Sequence, residues 1–366
     1  MNGKKCTIWV FSLILTVGLS GLLFLPKNSF SMAENRVLAD FPQFTLPPGE
    51  NPAAQAESYL QDHFPLRSSF LALRTNFAIF SGRREVNGVY ILDGQMAEQF
   101  GSVSEARLAQ SLAEAETFAK SFSGPVSLML IPTSVGIDRD LLPASITELS
   151  QKALLDRVYE SVSERLGTID CYSLLAANHN KPLYYRSDHR WTTLGAYFGY
   201  SACGEQMGFV PLAAERFNIQ HASHNFRGSL YHKTLYAGPS PDTIDIYSAS
   251  SSTLAPTVET YRYDEGSQLH DGLYYRELLG GSDPYALFLG EPAPVVTITT
   301  GLKKAPRLLV IRDEYASVMA PFLALHYSTV TLVDPTLLEG PLESLVNLDD
   351  YDQALLCYSL KHFACE

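Results

Sequence analysis

The run from Ile8 to Leu25 contains no charged residue, follows Lys4 and Lys5, and is closed by Pro26 and Lys27. Its length approaches the roughly 20 apolar residues that a membrane-spanning helix needs. Lysines ahead of such a run hold that end in the cytoplasm and send the rest of the chain outward. Two outcomes stay open. Ser31-Met32-Ala33 supplies the small residues of a cleavage site and suits a removed signal peptide, while the length of the run suits an uncleaved anchor. Either way residues 34–366 are expected to be extracytoplasmic, anchored or secreted. A cytoplasmic enzyme is excluded, as is a polytopic transporter, because no second run of this kind follows.

The charge of the exported part bears on its partners. The chain carries 27 Lys and Arg against 39 Asp and Glu, a net charge of -12. Its first 33 residues hold three lysines and no acid, so the remainder stands at -15. That balance lacks the basic face that neutralises phosphates, and no nucleic-acid partner is expected. With 46% hydrophobic residues, 20 Tyr and 19 Phe, the chain can bury a sizeable core. Cys171, Cys203, Cys357 and Cys365 lie beyond the apolar run and are open to two readings, a pair of disulfides or four buried free thiols.

The expected organisation has three parts: a signal peptide or anchor over 1–33, a stalk and helical segment over 34–100, and an α/β domain over 101–366. The stalk reaches Asn51, and a helical stretch from about Ala53 to Phe80 is interrupted at Pro65. Val86 to Leu92 reads as a strand ended by Asp93-Gly94. Ser102 with Glu105 fits a capping box that opens a helix to about Phe122. Val126 to Ile131 then reads as a buried strand, Ser150 to Leu166 as a helix, Thr168 to Tyr172 as a short strand, and Thr192 to Met207 as a helix begun by threonine caps. From about 209 to 283 the pattern breaks into short Ser-, Gly- and Tyr-rich segments, expected to be an insertion. Alternation resumes with strands at Val295 to Thr300, Leu308 to Arg312, Val330 to Val333 and Ala354 to Tyr358, and a helix at Ala316 to His326. Strands alternating with helices predict an α/β fold with a mostly parallel sheet flanked by helices.

Two places concentrate chemistry. One is Tyr184-Tyr185-Arg186-Ser187-Asp188-His189-Arg190-Trp191, at the entry to a helix. The other is Arg312-Asp313-Glu314-Tyr315, where an apolar strand meets the next helix. Carboxyl ends of strands in open α/β sheets face the ligand crevice. Five blocks, SMAENRVLADFPQF (Ser31 to Phe44), ESYLQDHFPLRSSF with REVNGVYI (Glu57 to Ile91), YYRSDHRWTTLGAY (Tyr184 to Tyr197), GSLYHKTLYAGPSPDTIDIY (Gly228 to Tyr247) and LLVIRDEYASVMAPFLALHY (Leu308 to Tyr327), resemble in order the DHHW family of bacterial exported proteins. That family is similar to the SGNH-hydrolase-like domains of alginate O-acetylation proteins. The resemblance implies a flavodoxin-like SGNH sheet and a Ser-His-Asp triad that moves acyl groups to or from sugar hydroxyls.

Carried over residue by residue, Asp188 and Trp191 match. The triad histidine falls on Arg190 and the serine on Glu314, and a Gly-Asn-His-Pro-like stretch appears as Gly290-Glu291-Pro292-Ala293-Pro294. Arginine stays protonated and cannot act as a base. Either the two replacements compensate as an ion pair, since the family fold would bring positions 190 and 314 within reach, or each side chain is solvated at a cleft rim. Displaced residues, His189 with Ser317, are the candidates for remaining acyl chemistry. Asp188, His189, Arg190 and Glu314 are therefore the degenerate triad positions, and Tyr185, Trp191, Asp313 and Tyr315 the candidates for contact with a sugar.

The expected function is that of a catalytically inactive envelope protein related to polysaccharide O-acetylation, acting as a glycan-binding or accessory protein. The alternatives are an active carbohydrate O-acetylesterase or O-acetyltransferase and a purely structural envelope protein. The expected partners are a cell-envelope glycan, a membrane-bound acetyl-transfer protein and, through the N-terminal segment, the membrane. No cofactor is implied. His221, His224 and His232 lack a recognised metal-ligand spacing, and Gly280-Gly281 belongs to no phosphate-cradling pattern.

Overall fold

The computed structural model describes residues 3–24, 27–42, 51–138, 141–143, 146, 148–162, 166–249 and 255–365. Two compact units divide the chain, one of residues 1–87 with 231–238 and the other of 88–230 with 239–366. Residues 43–50 of the expected stalk and 163–165 of the expected helix lie outside the described residues.

The first unit opens with α1 (Gly3–Phe24), which holds the apolar run from Ile8 to Phe24; Leu25 and Pro26 at its end lie outside the described residues. Several of its side chains lie outside the described residues, and among those described no helix is long and apolar enough to cross a membrane. Two short strands, β1 (Phe30–Ser31) and β2 (Arg36–Val37), pair antiparallel. They precede α2 (Pro52–Asp62), which Asn51 caps by accepting from Ala53 N. Pro65 and a left-handed Leu66 separate it from α3 (Arg67–Phe80), so the interruption falls where proline removes a donor. Arg36 grips Asp62 through two bonds of 2.9 and 2.6 Å, and Arg67 reaches Glu34 at 2.9 Å. This unit ends with β3 (Glu85–Val86). The single strand expected from Val86 to Leu92 is broken by a turn at Asn87 and Gly88, both at positive φ.

The second unit begins with β4 (Val89–Ile91) and β5 (Met96–Glu98), an antiparallel pair. Next comes α4 (Glu105–Ser121), capped by Ser104, which accepts from Arg107 N. The cap is thus Ser104 rather than Ser102, because the helix starts at Glu105 and the hydroxyl must reach the N3 amide. There follow β6 (Val126–Ile131), α5 (Ser134–Ile137), α6 (Gln151–Val162), β7 (Gly167–Ile169) and α7 (Cys171–Ala177). The strand read at Thr168 to Tyr172 stops early because Asp170 caps α7, accepting from Ser173 N. Helix α8 (Thr193–Met207) leads to β8 (Phe217–Phe226), then α9 (Ser229–Thr234), whose residues from Tyr231 on belong to the first unit, and β9 (Asp242–Ala249). Then come β10 (Thr257–Arg262), β11 (Gly266–Asp271), β12 (Val295–Thr299), β13 (Arg307–Arg312), α10 (Ala316–Leu323), β14 (Thr329–Val333), β15 (Gln353–Ser359) and α11 (Leu360–Ala364).

Eight of these strands form one sheet in the order β11-β10-β12-β14-β13-β15-β6-β7. Neighbours from β14 to β7 are parallel, and β12, β10 and β11 extend the sheet antiparallel. Within 209–283, β8 and β9 make a separate hairpin, while β10 and β11 join the main sheet. Alternate residues of β13 feed two cores. Leu308 and Val310 point into the one that holds α8 and α10, and Leu309 and Ile311 into the one under α4, α6 and α11. Cys171, Cys203, Cys357 and Cys365 are buried free thiols.

Candidate functional site

The loop from Tyr184 to Thr192 is held from three sides. Thr192 caps α8 by accepting from Gly195 N at 3.2 Å. Asp242, the first residue of β9, accepts from Arg186 N, Ser187 N and Ser187 Oγ at 3.0 to 3.2 Å. Beyond β13, the Tyr315 carbonyl accepts from Trp191 Nε1 at 3.0 Å, and the Tyr315 hydroxyl donates to the His189 carbonyl at 2.6 Å. Asp313 secures that end of β13: its two oxygens accept from Tyr315 N at 3.0 Å and Ser359 N at 2.6 Å. These ties bring the two sequence blocks face to face at the carboxyl end of a parallel strand.

Between them lies a network of charges. Asp188, buried, accepts from Arg190 Nε and a terminal guanidinium nitrogen at 2.8 Å each. Its remaining lone pairs take Arg190 N at 2.9 Å and Ser229 N at 2.8 Å. Arg190 also donates to both oxygens of Asp283, at 2.9 and 3.1 Å, and to Glu314 at 3.4 Å. A guanidinium has five N–H groups, and these five bonds use every one of them. Its plane lies 3.9 Å over the Tyr285 ring, a further attraction for the cation. Burial opposes charge on Asp188, but Arg190 and His189 outweigh it and hold the carboxyl well below the usual range.

His189 sits at the rim, its side chain about a fifth exposed, and both ring nitrogens are engaged. Nδ1 lies 2.6 Å from Ser229 Oγ, and Nε2 lies 2.5 Å from Glu314. Burial works against the imidazolium, yet the Glu314 and Asp188 carboxylates outweigh it and raise the pKa. Burial would raise Glu314 as well, but His189 and Arg190 hold it at about 2. The site is thus built as alternating charges, with Glu314 its most open member at 48% side-chain exposure.

The fold therefore brings Asp188, His189, Arg190 and Glu314 together. Ser317 stands in α10 and makes no bond to His189, whose nitrogens are taken by other groups. The four residues expected to contact a sugar are placed differently. Trp191 is wholly inaccessible, and Tyr185, Tyr315 and Asp313 are buried in the core beneath the charges. As placed, the rings of Trp191, Tyr185 and Tyr315 are packed against their neighbours and present no open face. His221 pairs with Asp245 and His224 with Thr243, and among the described residues no group of side chains is arranged to hold a metal ion. Two members of the network escaped sequence reasoning. Ser229 lies in the Gly228 block but carries no triad signature, and Asp283 looks like an ordinary turn residue before Pro284.

Comparison with known proteins follows from this geometry. The family model described as DHHW protein matches residues 71–333. A DHHW family protein from Eubacterium siraeum superposes with a TM-score of 0.65 at 21% identity, covering 77% of this chain and 94% of that one. Bacillus cereus PatB1 with a sulfonyl adduct gives 0.64 at 16% identity, covering 76% and 96%. A second PatB1 structure gives 0.62 at 17%, covering 76% and 97%. No curated protein matches the sequence. At these identities the likeness to solved structures is one of fold.

Proposed function

Because the chain belongs to the DHHW family, we propose that it is an extracytoplasmic SGNH-like protein that holds a cell-envelope glycan in support of polysaccharide O-acetylation, without transferring acetyl groups at the family's triad. The observation that carries this reading is that Arg190, which the motif resemblance aligns with the triad histidine, has all five donors bound to Asp188, Asp283 and Glu314. A base must accept a proton, and a saturated guanidinium neither accepts one nor turns toward a substrate. Glu314 cannot replace the serine for simple acyl transfer either, since its ester would be a mixed anhydride. What the rim offers instead is hydrogen bonding: Glu314 and Asp283 present partly exposed carboxylates that suit sugar hydroxyls. A membrane-bound acetyl-transfer protein would supply the chemistry, and the N-terminal helix would keep the chain beside it.

The test measures two quantities on the full chain in detergent. Calorimetric titration with envelope polysaccharide is expected to show binding that Glu314→Ala weakens about tenfold, equivalent to about 1.4 kcal/mol. A chromogenic acetyl ester is expected to hydrolyse at the buffer rate. Turnover that vanishes in His189→Ala would overturn the reading.

One contact favours a second reading. Ser229 Oγ, His189 and Glu314 form a chain in the order of an acyl-transfer relay. In it Ser229 would attack an acetyl carbonyl, its proton would pass to His189 Nδ1, and the alcohol would leave with that proton. The raised pKa of His189 weighs against this, since an imidazolium donates to Ser229 and cannot take its proton. Mass spectrometry after incubation with the ester separates the two: an added acetyl group on Ser229, absent in Ser229→Ala, would establish the relay.

A further inference from the structure

We propose that α3 lies on the membrane surface, with its apolar stripe in the acyl-chain boundary and its arginines on anionic lipid headgroups. The proposal is independent of the glycan reading and concerns the first unit alone. Leu66, Phe70, Leu73, Phe77 and Phe80 recur at alternating steps of four and three residues, so they share one face of the helix. All five are exposed, from 49% at Phe70 to 90% at Phe80. The opposite face is the one that packs: Thr75 is buried and donates to the Thr234 carbonyl at 2.7 Å, with Leu71, Ala78 and Ile79 half-buried around it. A helix with one face packed and four large apolar side chains along the other, extended by Leu66 at its N-cap, has an unpartnered surface.

Charge says what covers it. Leu66 to Arg84 contains Arg67, Arg74, Arg83 and Arg84 and no acid, within a chain of net charge -12. Among the described residues Arg74 and Arg83 pair with no carboxylate, and both line one cavity of about 220 Å³ that also holds Arg67, Lys233 and the carboxylates of Glu34 and Glu85, Glu34 being paired with Arg67. Arginines flanking a stripe of Phe and Leu are the composition of an interfacial helix drawn to anionic lipid. A second copy of this chain would bring like charges together along the same helix. The apolar face is also continuous with α1. Gly18 of that helix stands so close to Phe64 that a Cβ would approach its ring to 2.8 Å, and the Phe64 ring lies 6.0 Å from that of Phe70. Ile8, Trp9, Phe11 and Leu13 of α1 are exposed too, so these described side chains of α1 are not buried against α3.

The test uses the full chain with Trp9→Phe, which leaves the wholly buried Trp191 as a constant background, and adds Phe77→Trp. In vesicles of about one third phosphatidylglycerol in phosphatidylcholine, emission from the added indole is expected to shift blue by about 10 nm. It should fall about twofold when the acyl chains are brominated. Adding Arg74→Gln, Arg83→Gln and Arg84→Gln should restore at least half of the lost emission. Emission at the wavelength seen in water, untouched by bromine, would overturn the proposal. A blue shift without quenching would overturn it as well, assigning the stripe to a second copy or another protein. Phe80→Trp gives a second position on the same face, so a misfolded variant cannot decide the matter.

Discussion

Arg190 shows how one residue can close a site. Two of its five donors pair with Asp188 and the other three with Asp283 and Glu314, in a buried setting where an unpaired charge costs far more than it would in water. Arg190→Met is therefore expected to destabilise the fold by about 3 to 5 kcal/mol, because Asp188 would remain buried without its cation. Denaturant unfolding measures this, and a loss below about 1 kcal/mol would contradict the account. The rim pair makes a pH-dependent contribution. His189 is raised above its ordinary 6.5, so its stabilisation is complete below that pH and fades as pH rises through the folded value. Glu314 is lowered from 4.5 to about 2, so its share is complete above 4.5 and fades as pH falls toward 2. The stability difference between the native chain and His189→Gln should thus be largest between pH 4.5 and 6.5. Unfolding midpoints across pH check it, and a difference that grows above pH 8 would contradict the assigned sign.

At the scale of elements, the junctions between helices and strands decide where the charges stand. Gly228, just before α9, passes so close to Asp188 that a Cβ there would come within 2.0 Å of a carboxylate oxygen. Gly228→Ala is expected to cost about 1 to 3 kcal/mol, the range for an overpacked site, and to loosen the hydrogen bond from Ser229 N. Calorimetric melting would register it. The cap of α4 offers a cleaner comparison: Ser104→Ala should cost about 1 kcal/mol and Ser102→Ala almost nothing, because only Ser104 reaches a free amide of the first turn. Apolar runs bounded by cap and turn residues located α4, α8, β6, β13 and β14 within a residue or two, since the three strands are buried on both faces and read as continuous apolar stretches. That pattern missed the turn at Asn87-Gly88, although an Asn-Gly pair, both residues here at positive φ, is the composition of a two-residue hairpin turn.

At the scale of the molecule, a mixed eight-stranded sheet divides two cores and sets the site at the end of β13. The buried cysteines belong to those cores, and burial pushes the thiols of Cys171 and Cys357 well up. Reducing agent should leave the melting temperature unchanged, and thiol reagents should react with Cys171, Cys203 and Cys357 only on unfolding. Protection lost on reduction would indicate disulfides. From the sequence alone came the alternation that predicts the sheet, the apolar run near the N-terminus, and an arginine at position 190 that cannot act as a base, because each is written in local pattern or residue chemistry. The contacts of Ser229 and Asp283, the burial of Trp191, and the bare face of α3 were decided by the tertiary structure. Ser229 lies 40 residues from His189, and Asp283 lies 93 from Arg190. Over such spans no periodicity links one side chain to another, and only the packing of the sheet and its helices sets the distance between them.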